Sequence, residues 1–196
     1  MPAAPRHRAA LVQAAAQLFR RQGYGATGLN EILAASGAPK GSLYHYFPRG
    51  KAQIGAEVVE WAAERTAATL GELTETEPSP ADVLRRYARM VVGWLEESDF
   101  RDGSPITTVL LELAPQEPAV TAAGRAAFAA WAAVLETGLG ARGVPADRAR
   151  RLADLAVAAL DGSLVRARVE RDGRPVVEAV DQVADLFDAV LGDRGR

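Results

Sequence analysis

The sequence predicts an all-α protein of about nine helices, and three observations predict it. Apolar residues recur three and four positions apart along almost the whole of the 196-residue chain. No stretch alternates apolar and polar residues as a half-buried strand does. Glycine and proline clusters separate the periodic stretches. The first helix spans about Arg6 to Gln22, with Leu11, Val12, Ala15, Leu18 and Phe19 on one face and Gly23 as its stop. A short second helix, about Gly28 to Ala35, turns Leu29, Ile32 and Leu33 inward and ends at Ser36-Gly37. A third, about Pro39 to Tyr46, follows closely, and Pro48-Arg49-Gly50 breaks it. A long fourth helix begins near Lys51 and carries Ile54, Val58 and Trp61 on one stripe. Glu77-Pro78-Ser79-Pro80 is the clearest loop. Beyond it lie helices over about Ala81 to Glu97 (Leu84, Tyr87, Val91, Trp94), Pro105 to Leu113, and Ala119 to Leu139 (Phe128, Trp131, Leu135). The last two run from about Ala146 to Glu170 and from Pro175 to Leu191. The final one places Val176, Val180, Val183, Phe187 and Val190 on a single stripe.

The composition is that of a globular chain, 48% hydrophobic and 24% charged, with a net charge of −2. Cysteine is absent, which excludes disulfides, thiol catalysis, thiolate metal sites and cysteine redox sensing. No apolar run approaches the roughly 18 residues of a membrane span. Arg6, His7 and Arg8 lead directly into an amphipathic pattern without a signal-peptide core, so a cytoplasmic protein is expected. The small net charge hides an asymmetry. Residues 1–51 hold seven basic side chains and the single acid Glu31, whereas the remainder holds 16 basic and 24 acidic residues. A basic head on an acidic body suits contact with a polyanion, although a solvated surface gives the same count. Only two of the 23 basic residues are lysines, Lys40 and Lys51, and both fall in the head.

The informative stretch runs from Ala26 to Phe47. Two short helices joined by a tight turn containing glycine are the sequence form of a helix-turn-helix. Gly37 supplies the left-handed residue that ends the second helix, and Pro39 has the φ angle of a first helical turn. Leu43 and Phe47, four apart, face inward, and Lys40, Ser42, Tyr44 and His45 spread over the more exposed faces. Such a helix fits the major groove of DNA. A cation at a helix N-terminus is ordinarily unfavourable. Lys40 opening the third helix and Lys51 opening the fourth are therefore expected to meet phosphates there. Gly41 allows close approach of the backbone to DNA.

With those residues in view, the head resembles the DNA-binding domain of the TetR family of bacterial regulators. The likeness rests on Thr27 at the start of the second helix, Gly37 at the turn, Lys40-Gly41-Ser42-Leu43-Tyr44-His45-Tyr46-Phe47, and Lys51, and it covers roughly residues 6–60. It implies phosphate contacts by Thr27, Tyr44, His45 and Lys51. It places Lys40, Gly41 and Ser42 at base edges or the neighbouring backbone. Pro39 departs from the family, which more often has a capping serine there. With Ala38 and Ser42 it makes the segment similar to an LmrA/YxaF-like subgroup, as does Gly103-Ser104-Pro105-Ile106-Thr107-Thr108-Val109-Leu110-Leu111-Glu112. Ser104 stands where that subgroup often has cysteine.

The resemblance implies a helix-turn-helix domain over 1–50 and a ligand-binding and dimerisation domain over 51–196, linked by the helix from residue 51. Small residues at helical spacing (Ala156, Ala159, Gly162, Ser163) and the Val/Phe stripe of the last helix are the candidate dimer faces, with ordinary intramolecular packing as the alternative for either stripe alone. Trp61, Trp94, Phe128 and Trp131 are candidate pocket walls, with Thr107, Thr108 and Asp161 as polar contacts; the same aromatics also suit a plain core. The composition suits a small hydrophobic effector. The expected partners are thus double-stranded operator DNA, that effector and a second copy of the chain, with no membrane, metal or cofactor.

An enzyme is the rival class. Gly138-Leu139-Gly140-Ala141-Arg142-Gly143 fits G-x-G-x-x-G but follows a helix rather than a strand. No serine lies in a G-x-S-x-G elbow, and His7 and His45 are the only histidines. Catalysis is not expected. A DNA-binding factor that senses nothing stays open, because a core and a pocket use the same residues.

Overall fold

The computed structural model describes residues 4–192, with side chains from residue 6 onward. All regular structure among them is helical: α1 (Ala4–Gln22), α2 (Leu29–Ser36), α3 (Ser42–Tyr46), α4 (Lys51–Thr76), α5 (Pro80–Glu97), α6 (Pro105–Leu113), α7 (Pro118–Gly140), α8 (Ala146–Glu170) and α9 (Arg174–Gly192). Local chemistry sets most of these limits. Ser79 and Ser104 each accept a hydrogen bond from the backbone N–H three residues on, and each is followed by proline at the first helical position. The one clear departure from expectation is α3. Pro39 and Lys40 lie in a turn closed by the bond from Ser42 N to Pro39 O, 2.9 Å, and regular helix begins only at Ser42. Lys40 therefore precedes the helix rather than opening it. Without a capping side chain at Gly41, the chain enters α3 through this tighter turn.

The chain divides by packing into two compact units. The first comprises Met1–Glu64 and Ser104–Ala127, so α6 and the start of α7 group with the head. Leu11, Phe19, Ile32, Leu43, Phe47, Ile54, Val58, Val109 and Val120 form its core, none more than 2% exposed. The second comprises Arg65–Gly103 and Phe128–Arg196. Here α9 packs against both α5 and α8 around Val83, Val91, Leu135, Ala153, Ala184 and Phe187. This division by packing is a different cut from the functional one drawn at residue 50.

Two expectations change. The α9 stripe of Val176, Val180, Val183, Phe187 and Val190 is buried inside its own unit, as are Ala156 and Ser163 of α8. Periodicity identified the buried side correctly, and the burying partner is the chain itself. Of the expected α8 residues Gly162 stays exposed and Ala159 half-exposed, and the outward faces otherwise consist of Leu155, Ala158, Val165 and Val169 on α8, and Gln182, Leu186 and Ala189 on α9. In addition, α7 is long and apolar enough by composition to cross a membrane, the one such helix among the described residues. Its apolarity comes from alanines, and Arg125 lies near its middle, where a bilayer centre costs an arginine about 2.5–3.5 kcal/mol.

Candidate nucleic-acid interface

Geometry begins at the turn between α2 and α3. Gly37 takes the left-handed conformation, φ 64°. Ser36 then closes the corner, its hydroxyl donating to Leu33 O at 2.8 Å and accepting from Ala38 N at 3.2 Å. Leu43 and Phe47 are driven into the core, 2% and 0% exposed, which fixes the opposite edge outward. Lys40, Gly41, Tyr44 and His45 are exposed on that edge and Ser42 is half-exposed, with Tyr44 at 69%. The His45 and Tyr46 rings meet edge to face, 4.8 Å between centroids.

Gln53, which sequence reasoning missed, braces the exit from this helix. Its amide accepts from Arg49 N at 3.2 Å and donates to Tyr46 O at 3.3 Å and to Glu57 at 3.4 Å. Glu57 in turn pairs with Arg8 of α1 at 2.7 Å. Gln22, at the end of α1, donates to both Glu31 oxygens, at 3.1 and 2.9 Å, tying α1 to α2. These partners lie nine or more residues apart in part, and no local signal announces them.

Two expected phosphate contacts are placed differently from the rest. Thr27 is 1% exposed, and its hydroxyl donates to Gly23 O at 2.8 Å. Its side chain ties the α1–α2 loop to the end of α1 rather than reaching solvent. Lys51 opens α4 as expected. Its ammonium donates to Gly25 O at 3.3 Å and lies 4.2 Å from the Tyr24 ring centroid. Burial pulls its pKa below the ordinary lysine value, and the carboxylate of Glu112 works against that pull.

The sequence comparisons decide what this head belongs to. Residues 11–58 match the model for bacterial regulatory proteins of the tetR family, and residues 80–182 match the C-terminal domain of LmrA/YxaF-like transcriptional regulators. An HTH-type transcriptional regulator of Mycobacterium tuberculosis is 36% identical over 98% of each chain. The chain belongs to the TetR family. Further similar proteins include the HTH-type transcriptional repressor DhaR of a Mycobacterium species, 26% identical over 92% of this chain and 90% of its own. A TetR regulatory protein of Rhodobacter sphaeroides shares the fold, with a TM-score of 0.78 and 24% identity, covering 90% of this chain and 96% of that one. As a TetR-family member the protein is a DNA-binding transcriptional regulator, in a family whose members are not enzymes.

The candidate pocket residues of this TetR-family chain fall in separate units. Trp61, Thr107 and Thr108 belong to the first. Trp61 lines an open groove of about 540 Å³ with Val12, Tyr46, Glu57 and Glu60. Ser104 caps Thr107 through its backbone, and the Thr108 hydroxyl is spent on Ser104 O at 2.8 Å. Trp94, Phe128, Trp131 and Asp161 belong to the second. There Trp94 meets Tyr87 and Phe128 meets Trp131, both edge to face, at 6.2 and 5.8 Å. Trp94 is 47% exposed, whereas Trp131 is buried. Burial raises the Tyr87 phenol pKa, a hydrogen bond with Thr66 opposes this, and the charge of Asp161 adds to it. The second unit holds a void of about 30 Å³ beside Pro80 and Gly138 and one of about 10 Å³ beside Tyr87 and Leu160.

Proposed function

We propose that this TetR-family regulator is a homodimeric cytoplasmic repressor that a small hydrophobic effector releases from a near-palindromic operator. One observation carries the DNA surface: Lys40 and Gly41 of the entering turn and Ser42, Tyr44 and His45 of α3 share an outward edge, and Leu43 and Phe47 lock the other edge into the core. Lys40, Gly41 and Ser42 read base edges or the adjoining backbone, and Tyr44, His45 and Lys51 grip phosphates. Thr27 holds the loop on which Lys51 rests. The uncharged outward stripes of α8 and α9 support pairing with a second copy, since exposed apolar residues at helical spacing suit a helix-on-helix interface. Two heads then meet half-sites about 34–36 Å apart or a multiple of that. The effector lowers affinity by its preference for a different head separation. DhaR, named a repressor, supports the sign.

A second reading, constitutive DNA binding without an effector, is favoured by the two small voids beside Pro80 and beside Tyr87, each far below the roughly 300 Å³ or more of ordinary ligand pockets. Selection of bound fragments from the host genome tests the proposal. A recurring inverted repeat, and weaker binding of every selected fragment by Lys40→Ala, is the expected outcome. Fragments without symmetry refute the dimeric operator. Release of the selected fragment by hydrophobic compounds supports the effector, and indifference to a broad panel supports constitutive binding. Val165→Asp is expected to yield monomer in sedimentation; an unchanged dimer removes α8 from the interface.

A further inference from the structure

The loop between α1 and α2 holds more than Lys51. A β-carbon built on Gly25 would stand 2.7 Å from Oε2 of Glu112, and one on Gly23 would stand 3.6 Å from Oε1. Both oxygens of this α6 carboxylate therefore face the loop whose Gly25 carbonyl receives the Lys51 ammonium. The Tyr24 ring lies 4.2 Å from the lysine nitrogen, and its phenol pKa is pushed up by burial, then by the charges of Glu117 and Glu112. Only because residue 25 lacks a side chain does Glu112 fit so close. A carboxylate from α6, distant in sequence, thus shares its surroundings with the cation that opens α4.

We infer that Glu112 is a charge brake on DNA binding: its carboxylate beside the Gly23–Gly25 loop offsets the Lys51 ammonium and so weakens that cation's hold on an approaching phosphate. The inference rests on the proposed phosphate contact of Lys51. Its physical basis is that a phosphate meeting Lys51 must share the cation with a carboxylate already present. Glu112 is exposed, so solvent screens the effect and its size is modest. The same placement makes Glu112 a positioning residue for DNA affinity, acting through Lys51 rather than touching DNA.

The test measures binding of the full chain to a 24-base-pair duplex of arbitrary sequence, since phosphate contacts are indifferent to sequence. Four proteins are compared: wild type, Glu112→Gln, Lys51→Ala and the double variant. Glu112→Gln is expected to tighten binding about threefold, and the gain is expected to vanish in the Lys51→Ala background. Gly25→Ala, which forces the flexible carboxylate away, is expected to tighten binding in the same direction. By NMR titration, the Lys51 pKa is expected to fall further in Glu112→Gln, because the one charge holding it up is gone. If Lys51→Ala alone leaves affinity unchanged, the phosphate contact fails and the brake falls with it. If Lys51→Ala weakens binding but Glu112→Gln leaves it unchanged or weaker, the contact stands and the brake is overturned. A gain that survives in the double variant also overturns it, since the charge then acts without Lys51.

Discussion

Tyr44→Phe isolates one oxygen atom on the proposed DNA surface. Tyr44 is 69% exposed, and the residues that anchor its helix, Leu43 and Phe47, are untouched by the change. Folding stability is therefore expected to move by no more than about 0.5 kcal/mol. A hydrogen bond to a charged group contributes about 1.5–3 kcal/mol, and this solvated position warrants the lower end. Loss of about 1.5 kcal/mol at each head corresponds to roughly a tenfold rise in Kd per contact, and so to roughly a hundredfold rise for the proposed dimer, which loses two. A phenol is neutral, so its contact releases no counterion. The slope of log affinity against log salt should stay as in wild type, whereas loss of a lysine contact lowers it by about 0.9. Fluorescence anisotropy with a labelled duplex between about 50 and 200 mM salt gives affinity and slope together, and thermal unfolding gives stability. Wild-type affinity in Tyr44→Phe would refute the phosphate contact. A changed slope with lost affinity would refute the reasoning that the hydroxyl acts as a neutral donor.

Three further outcomes concern the second unit. Phe187→Ala empties a fully buried site and is expected to cost about 3–5 kcal/mol in chemical denaturation; a loss below about 1 kcal/mol would contradict the packing described. Arg85 of α5 reaches Asp185 and Asp188 of α9 at 2.8 and 2.9 Å, with Asp181 at 3.8 Å. Arg85→Leu should cost about 1 kcal/mol after allowance for solvent around those aspartates, and less at high salt; a salt-independent loss would point to packing instead. Asp147, near the start of α8, has its pKa held below the usual 3.8 by hydrogen bonds from Arg150 and Arg151. A lowered folded-state pKa means stability present above pH 3.8 and lost as pH falls through the folded value. Asp147→Asn should therefore be less stable than wild type at pH 6, with the difference closing under acid; a gap constant in pH would remove the ion pairs from the account.

Much of this fold is legible in the sequence because the limits of its helices are set locally. Ser79-Pro80 and Ser104-Pro105 each carry a cap and a first-turn proline within two residues, and Gly37 marks its turn by itself. The start of α3 was less legible, because Pro39 fits a helical first turn and a tighter turn equally well. Periodicity told which side of α9 is buried without telling what buries it, since Val180 and Phe187 fit a partner chain or their own. In the DNA-binding head, the family motif singled out Tyr44, His45 and Lys51. It carried no information on Gln53 or Glu112, whose parts depend on residues brought together only by folding. Thr27 shows the same limit from the other side: a hydroxyl in the motif that turns inward to Gly23 O.

The three tryptophans give the molecule its own optical reporters. Trp131 is sealed against Phe128, Trp94 stands half in water beside Tyr87, and Trp61 belongs to the head. An ionic quencher in solution should dim Trp94 before Trp131, so emission from the body sorts by accessibility without any label. Replacing Trp94 and Trp131 by phenylalanine leaves Trp61 of the first unit as the single tryptophan, and its colour then follows that unit alone as duplex or small molecules are added.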